Sequence, residues 1–245
     1  MRVVFEEDVR TLPQEGGSPE TASTVTCLLD LLLPCNMQCE GCSPRPQAAP
    51  LTNAIAKALA DSVLAHVEER GATRLDLVLF GGEPLLDAGH VLTLASRLRR
   101  GCARRGIRFV GHLITNGTLL GAVPTRRLVA AGLSRLQVTL DGPSGVHDAR
   151  RRMLDGGGSW RSIVKGLRHA RKCAQVVVRS DAAALASNLE ELLAALDADE
   201  PVAGDGSLSL YVARPASYSQ QARELVDVFR LLEAPAASAV LGASS

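Results

Sequence analysis

No run of this 245-residue sequence is apolar for long enough to span a bilayer, and the longest, residues 27–33, is broken by Asp30. An export signal is missing as well. The first fifteen residues carry Glu6, Glu7, Asp8 and Glu15, and hold no apolar core followed by a small-residue cleavage site. Aromatic side chains make up only 3% of the chain, so Leu, Val, Ile and Ala must fill its core. An excess of either charge is also lacking. With 27 Lys and Arg against 26 Asp and Glu, the net charge of +1 gives no electrostatic reason to expect nucleic acid or a membrane surface as partner. What remains, 46% hydrophobic and 22% charged, is the composition of a globular cytoplasmic protein, with room for one large α/β unit or two small domains.

A fourth cysteine is the most informative absence. "LLLPCNMQCEGCSPRP" (31–46) sets Cys35, Cys39 and Cys42 within eight residues, while Cys27, Cys102 and Cys173 show no paired spacing. In a reducing compartment, thiols at this spacing point to metal rather than disulfides. A zinc module usually closes its tetrahedron with a second ligand pair at similarly short spacing. Three thiolates on one short loop can instead hold three irons of a [4Fe–4S] cube that ordinarily takes four cysteines, leaving one iron open. The plainer alternative is a structural zinc ion that borrows a remote ligand such as Cys27 or His66.

Residues 1–23 are polar and interrupted by Gly and Pro, and read as a strand or an N-terminal arm at most. Six strand–helix alternations follow. Strands are expected at 24–33, 74–80, 107–115, 135–140, 174–180 and 207–213, and helices at 52–71, 87–106, 124–132, 159–172, 188–199 and 218–233. The first helix carries Ile55, Leu59, Val63, Leu64 and Val67 at helical spacing, with Gly71 as its stop. Ser159 is a candidate N-cap for the fourth, and residues 234–245 form an Ala/Ser-rich tail. Such alternation predicts an α/β fold with a parallel sheet covered by helices. Periodicity does not choose between a partial (βα)6 barrel and an open doubly wound sheet. In either, chemistry belongs at the C-terminal ends of the strands.

Four polar motifs occupy those ends. The cysteine loop follows the first strand. "FGGEPLL" (80–86) follows the second: Gly81 and Gly82 allow close backbone approach, Glu83 offers a carboxylate for an ammonium, and Pro84 starts a helix. "TNGT" (115–118), with Asn116, and "TLDGP" (139–143), with Thr139 and Asp141, follow the third and fourth. Each alone reads as an ordinary turn. Their recurrence at four successive strands does not.

Taken together, the CX3CX2C spacing and the GGEP motif resemble the radical S-adenosylmethionine (SAM) superfamily. "LDGPSGVHDARRRMLDGGGSW" (140–160) is similar to a loop of its anaerobic sulfatase maturases and SPASM-type peptide maturases, which runs DGP, HD, Arg, then G-x-G-Ser/Thr-aromatic. Here those positions are Asp141-Gly142-Pro143, His147-Asp148, Arg151 and Gly156 to Trp160, and the likeness covers roughly residues 24–200. Two features depart from it. Gly41 stands where an aromatic residue is usual, and no cysteine follows Cys173, where SPASM-type relatives carry a cysteine-rich domain.

The resemblance implies a partial (βα)6 barrel at 24–233 and one [4Fe–4S] cluster on Cys35, Cys39 and Cys42. SAM would bind the open iron through its amino and carboxylate groups, and reductive cleavage would give a 5′-deoxyadenosyl radical that abstracts hydrogen. Gly81, Gly82, Glu83 and Pro84 would hold the methionyl amino group. Thr139 and Arg151 would meet the ribose and carboxylate, with Asn116 and Asp141 shaping the same wall. Val176 and Val178 are candidates for the adenine pocket, which core packing explains equally well. No catalytic acid or base is assigned, and His147 reads as well as a loop cap. The implied partners are a peptide or protein substrate and an external electron donor of flavodoxin or ferredoxin type. A dehydrogenase or epimerase of a small metabolite is the second reading, and a non-catalytic metal-binding scaffold the third.

Overall fold

Strands β1 (Arg2–Leu12) and β2 (Glu20–Asp30) open a seven-stranded sheet in a computed structural model of the chain, which describes residues 1–12, 20–42, 51–181, 190–192, 194, 207–213 and 223–228. The chain then alternates through β3 (Met37–Cys39), α1 (Asn53–Glu69), β4 (Arg74–Phe80), α2 (Ala88–Ala103), β5 (Arg108–Thr115), α3 (Ala122–Ala131) and β6 (Leu133–Thr139). After these come α4 (Ser144–Arg150), β7 (Arg151–Met153), α5 (Trp160–Ala170), β8 (Gln175–Asp181) and β9 (Ser207–Ala213). The main sheet runs β1-β2-β4-β5-β6-β8-β9, and β3 and β7 pair separately. Within the main sheet only the β1–β2 pairing is antiparallel, and β3 and β7 also pair antiparallel.

The six strands expected from the sequence are therefore the six parallel ones. Their spatial order follows chain order without reversal, so the sheet has no topological switch point, and the doubly wound alternative is excluded. Right-handed crossovers in one direction place α1, α2, α3 and α5 on one face, which is the arrangement of the partial barrel. In the segment expected as a strand or arm, Arg2–Leu12 is the edge strand β1, whose Val3 and Phe5 pack on the core, and the first parallel strand begins at Glu20. The helix expected at 188–199 lies mostly outside the described residues. Of the helix expected at 218–233, residues 223–228 are described and helical. The tail at 234–245 lies outside the described residues.

Side chains divide by strand face. Leu29, Leu77, Leu79, Leu113, Leu136 and Val138 join the helices in the larger core. Leu28, Val78, Phe80, Ile114 and Val177 form a smaller cluster on the opposite face with Leu225, Val226 and Val228. Val176 and Val178 belong to the helix-side core, so packing, rather than an adenine pocket, accounts for them. The opposite face also carries buried polar groups. Arg74 reaches Asp76 at 2.9 Å, and His112 lies 3.7 Å from the same carboxylate. Burial pushes the Asp76 carboxyl up, but His112 and Arg74 outweigh it and hold it below the usual range.

Helix α1 shows how local chemistry fixes an element. Thr52 accepts the Ile55 N–H at 3.2 Å as N-cap, and the helix buries Ala56, Leu59, Ala60, Val63, Leu64 and Val67. Ile55, expected on that face, lies at its rim and is 37% exposed. Helix α2 comes close because Gly101 has no side chain: a Cβ there would lie 2.3 Å from Leu64 Cδ1. No helix among the described residues is long and apolar enough to cross a membrane. Leu64→Ala should destabilise the protein by about 2–5 kcal/mol through the cavity it leaves, whereas Ile55→Ala should change stability by about 0.5 kcal/mol or less. Urea unfolding of the two variants measures the contrast.

Candidate functional site

The exit of β2 is held at its first turn. Leu32 adopts φ 50°, unusual for a non-glycine residue, and its N–H is taken by Asp30 Oδ1 at 3.1 Å. Beneath this turn sits the glycine pair that follows β4. Gly81 (φ 106°) has no room for a Cβ, which would fall 2.0 Å from Asp30 Oδ1. At Gly82 (φ 59°) it would fall 1.9 Å from the Leu33 carbonyl oxygen. Both positions need glycine for conformation and for space, and what approaches them is the cysteine loop itself. The next N–H, of Glu83, donates to Pro34 O at 2.9 Å.

Glu83 is fully buried. Its Oε1 accepts from the Leu85 N–H at 2.9 Å and from Thr115 Oγ1 at 2.8 Å, and its Oε2 accepts from the Asn116 N–H at 2.7 Å. Burial pushes the carboxyl up, and these three hydrogen bonds pull the other way. A carboxylate offers about four lone-pair sites, and protein donors take three of them here. Pro84 follows at the start of a one-turn 3₁₀ segment, Pro84–Asp87.

From β5, Asn116 Nδ2 donates to Asn36 Oδ1 at 2.8 Å and points at Cys35 Sγ from 3.7 Å. Its Oδ1 accepts from the Thr118 N–H and hydroxyl at 2.9 and 2.7 Å, and Asn36 Nδ2 closes the ring on Thr118 Oγ1 at 2.9 Å. The "TNGT" motif is thus a clamp on the first cysteine as well as a turn.

The second clamp comes from the segment after β6, read from sequence as a loop. It is a helix and a strand: α4 leads into β7, which pairs with β3 so that Cys39 lies opposite Arg151. Arg151 Nε meets Asp141 Oδ2 at 2.7 Å, and its Nη1 points at Cys39 Sγ from 3.8 Å. A buried relay holds this pair. The Asp141 N–H donates to His147 Nδ1 at 3.1 Å, His147 Nε2 lies 3.0 Å from Ser159 Oγ, and the Ser159 hydroxyl donates to the Arg151 carbonyl at 2.7 Å. That order requires the proton on Nε2. Burial, with Arg151 nearby, lowers the His147 pKa to about 4, so the ring is neutral near pH 7. Ser159 therefore does not cap α5 with its side chain. Asp148 Oδ1 does, accepting from the Ser159 and Trp160 N–H groups at 2.8 Å each.

Cys35 and Cys39 are half-buried and Cys42 is exposed, all as free thiols. Burial pushes Cys35 and Cys39 up. The Met37 N–H and Asn116 oppose this at Cys35, and Arg151 opposes it at Cys39. The Cys42 N–H donates to Cys39 O at 3.2 Å, and Gly41 between them has φ 74°, the pattern of a type II turn. Thr139 is half-buried at the end of β6, level with Arg179 of β8. The predicted residues thus gather at the ends of β2, β4, β5 and β6, and their donor chemistry suits thiolate-held iron and sulfur. The borrowed zinc ligands do not join them. Cys27 is enclosed in the helix-side core, its thiol pushed up to about 12, and His66 stacks on Phe5 with ring centroids 4.0 Å apart. Cys102, at about 11, is also in that core. Asn36, Thr118, His147 and Ser159 complete the site. Of these, Thr118 stood in the TNGT motif and His147 and Ser159 in the His-Asp and G-x-G-Ser-aromatic pattern, whereas Asn36 gave no signal in the sequence.

Comparison with known proteins agrees with this geometry. The sequence matches the 4Fe-4S single cluster domain family over residues 25–164, more than half the chain. A GTP 3′,8-cyclase of Synechococcus sp. (strain CC9605) is 35% identical over 136 residues, covering 53% of this chain and 37% of that protein. The fold is similar to native anSMEcpe with bound AdoMet and Kp18Cys peptide, with a TM-score of 0.61 at 16% identity, over 78% of this chain and 52% of that one. HydG, a maturase of the [FeFe]-hydrogenase, gives 0.54 at 12% identity, over 83% and 48%. The chain spans about half the length of these relatives or less. At such identities the solved structures speak for the fold alone.

Two outcomes follow from the clamps. Gly82→Ala should displace the cysteine loop and lower iron loading on reconstitution, as iron and sulfide analysis would show. In the metal-free protein, the stability lent by neutral His147 is fully present above its ordinary pKa of 6.5 and lost as pH falls through about 4. Trp160 is the single tryptophan and lies beside the relay. An acid titration of its fluorescence should show this step, and His147→Asn should abolish it.

Proposed function

Because the chain belongs to the 4Fe-4S single cluster domain family of the radical SAM superfamily, we propose that it is a radical SAM enzyme acting in the cytoplasm on a peptide or protein side chain. One observation carries the reading: three free thiols on one loop, seated on the GGEP and TNGT strand ends, with side-chain donors aimed at two of the sulfurs. Cys35, Cys39 and Cys42 would hold a [4Fe–4S] cluster. When bound, that cluster supplies the electron that cleaves SAM and so generates a hydrogen-abstracting 5′-deoxyadenosyl radical.

The chain's own residues then have distinct tasks. Glu83 would meet the methionyl ammonium, beside the backbone of Gly81, Gly82 and Pro84. Arg151, steadied by Asp141, presents a planar fork suited to a carboxylate. Thr139 and Asn116 complete the same wall, toward the ribose. The relay through His147 and Ser159 keeps Arg151 and Asp141 in one arrangement, so that binding need not order them.

The peptide reading draws on the maturase-type loop at 140–160 and on the fold likeness to anSMEcpe, whose structure holds a peptide. A small-metabolite substrate is the second reading, favoured by the 35% identity to a GTP 3′,8-cyclase. Isotope-labelled substrates of either class, followed for deuterium transfer into 5′-deoxyadenosine, would separate them.

Anaerobically reconstituted protein should show iron–sulfur absorbance and convert SAM to methionine and 5′-deoxyadenosine under a low-potential reductant. The variant with Cys35, Cys39 and Cys42 all changed to Ala should lose both, and retention of either property by that variant would sink the reading. Cys102→Ser and Cys173→Ser should leave the iron content at about four per chain.

A further inference from the structure

Arg151 turns inward to Asp141 and Cys39, whereas its neighbours Arg150 and Arg152 do not. They line a groove of about 500 Å³ on the outer side of the β3–β7 pair, with Gln38, Cys39, Glu40 and Met153. Cys39 therefore belongs to both environments: its thiol faces Arg151 at the strand ends, and the residue also lines this open groove. Arg152 is exposed, and Arg150 meets Glu40 only at 3.8 Å, in a pair 39% and 75% exposed. Such a pair is worth little and leaves both side chains available to a partner. At the groove's rim Leu154 is 63% exposed, a large apolar side chain in solvent next to two guanidinium groups.

A ligand of the candidate cluster, an exposed apolar side chain and two cations against one carboxylate now share one surface. We propose that this groove docks a small acidic electron-carrier protein, which contacts Arg150, Arg152 and Leu154 and delivers its electron to the cluster at Cys39. The proposal rests on the reading of the site given above. One electron leaves the reduced carrier and one enters the cluster; no atom is transferred. Electron-transfer complexes are small and weak, burying less than about 1,200 Å² in total, so a patch of this size suffices. Guanidinium groups at such a patch speed encounter with an acidic partner, and salt screens that attraction. Arg150 and Arg152 contribute side chains to the groove and only backbone to the clamp, so they can be changed without touching the thiols.

The test compares wild-type protein with the Arg150→Glu/Arg152→Glu variant, both reconstituted with iron and sulfide. Stopped-flow absorbance follows cluster bleaching on mixing with reduced flavodoxin, and, separately, with photoreduced deazaflavin, a small reductant that needs no docking surface. The flavodoxin rate should fall by about tenfold or more in the variant. The wild-type rate should fall with added salt, and Arg150→Lys/Arg152→Lys should restore most of the loss. Deazaflavin should reduce all three proteins equally. Equal flavodoxin rates in wild type and charge-reversed variant would overturn the proposal. So would a parallel loss with deazaflavin, which would place the arginines in the setting of the cluster and not in docking. Failure of the wild-type protein to assemble a cluster, or to cleave SAM with deazaflavin, is a separate result that counts against the site reading itself.

Discussion

The buried carboxylate of Glu83 joins three pieces of backbone that would otherwise be independent. Its two oxygens take the Leu85 N–H, the Thr115 hydroxyl and the Asn116 N–H, while its own N–H holds the Pro34 carbonyl. An ionised carboxylate removed from water without partners would cost several kcal/mol or more. Here each hydrogen bond that offsets this cost also fixes the end of a strand: β4 through Glu83 itself, β5 through Thr115 and Asn116, and the exit of β2 through Pro34. The side-chain orientation that brings Asn116 toward Cys35 depends on that fixed backbone. Position in the chain explains the arrangement. Adjacent parallel strands end side by side, so one buried anion can serve three of them.

Much of this was legible in sequence, for a physical reason. Helical spacing in 53–69 and apolar strands such as 74–80 record burial that each element needs wherever it packs, so the six parallel units could be counted without a structure. Strand order could not. A sequential and a doubly wound sheet use the same strands and helices, and only long-range pairing such as Leu77 with Gly111 distinguishes them. The valines at 176–178 show the same limit: three in a row fit either face, and register decides that Val177 faces away from the helices while its neighbours pack under them. Short elements are harder still. Neither β3 nor β7 exceeds three residues, too few to display a period, and α4 is only seven residues long. Ser159 looked like a cap by position. Asp148, eleven residues earlier in sequence, does that task because α4 folds back toward the start of α5.

The two clamps on the cysteine loop differ in kind. The Asn36–Asn116–Thr118 ring is neutral and local to the ends of β2 and β5, and it meets Cys35. The Asp141–Arg151 clamp is charged, meets Cys39, and relies on a neutral histidine buried behind it. A protonated His147 could not accept the Asp141 N–H, so the low pKa and the tautomer are parts of one arrangement. Both clamps aim N–H groups at sulfur. Such donors stabilise negative charge on thiolate and cluster, and hydrogen bonds to sulfur are among the levers that set a cluster's potential. The same side chains therefore place the loop and influence its electronic state.

Gly41 adds the last constraint. Its φ of 74° supplies the turn that brings the Cys42 N–H back to Cys39 O. A Cβ at that position would meet nothing within 4 Å, so space does not require glycine; the backbone conformation does. The resemblance places an aromatic residue here, and an aromatic side chain would have to adopt this left-handed geometry at a cost of roughly 1–2 kcal/mol. With glycine the turn closes without that strain, but the stacking surface an aromatic would offer an adenine is gone. On this turn Cys39 is half-buried and Cys42 exposed. One glycine thus closes the cysteine turn where any other side chain would have to bear the left-handed backbone.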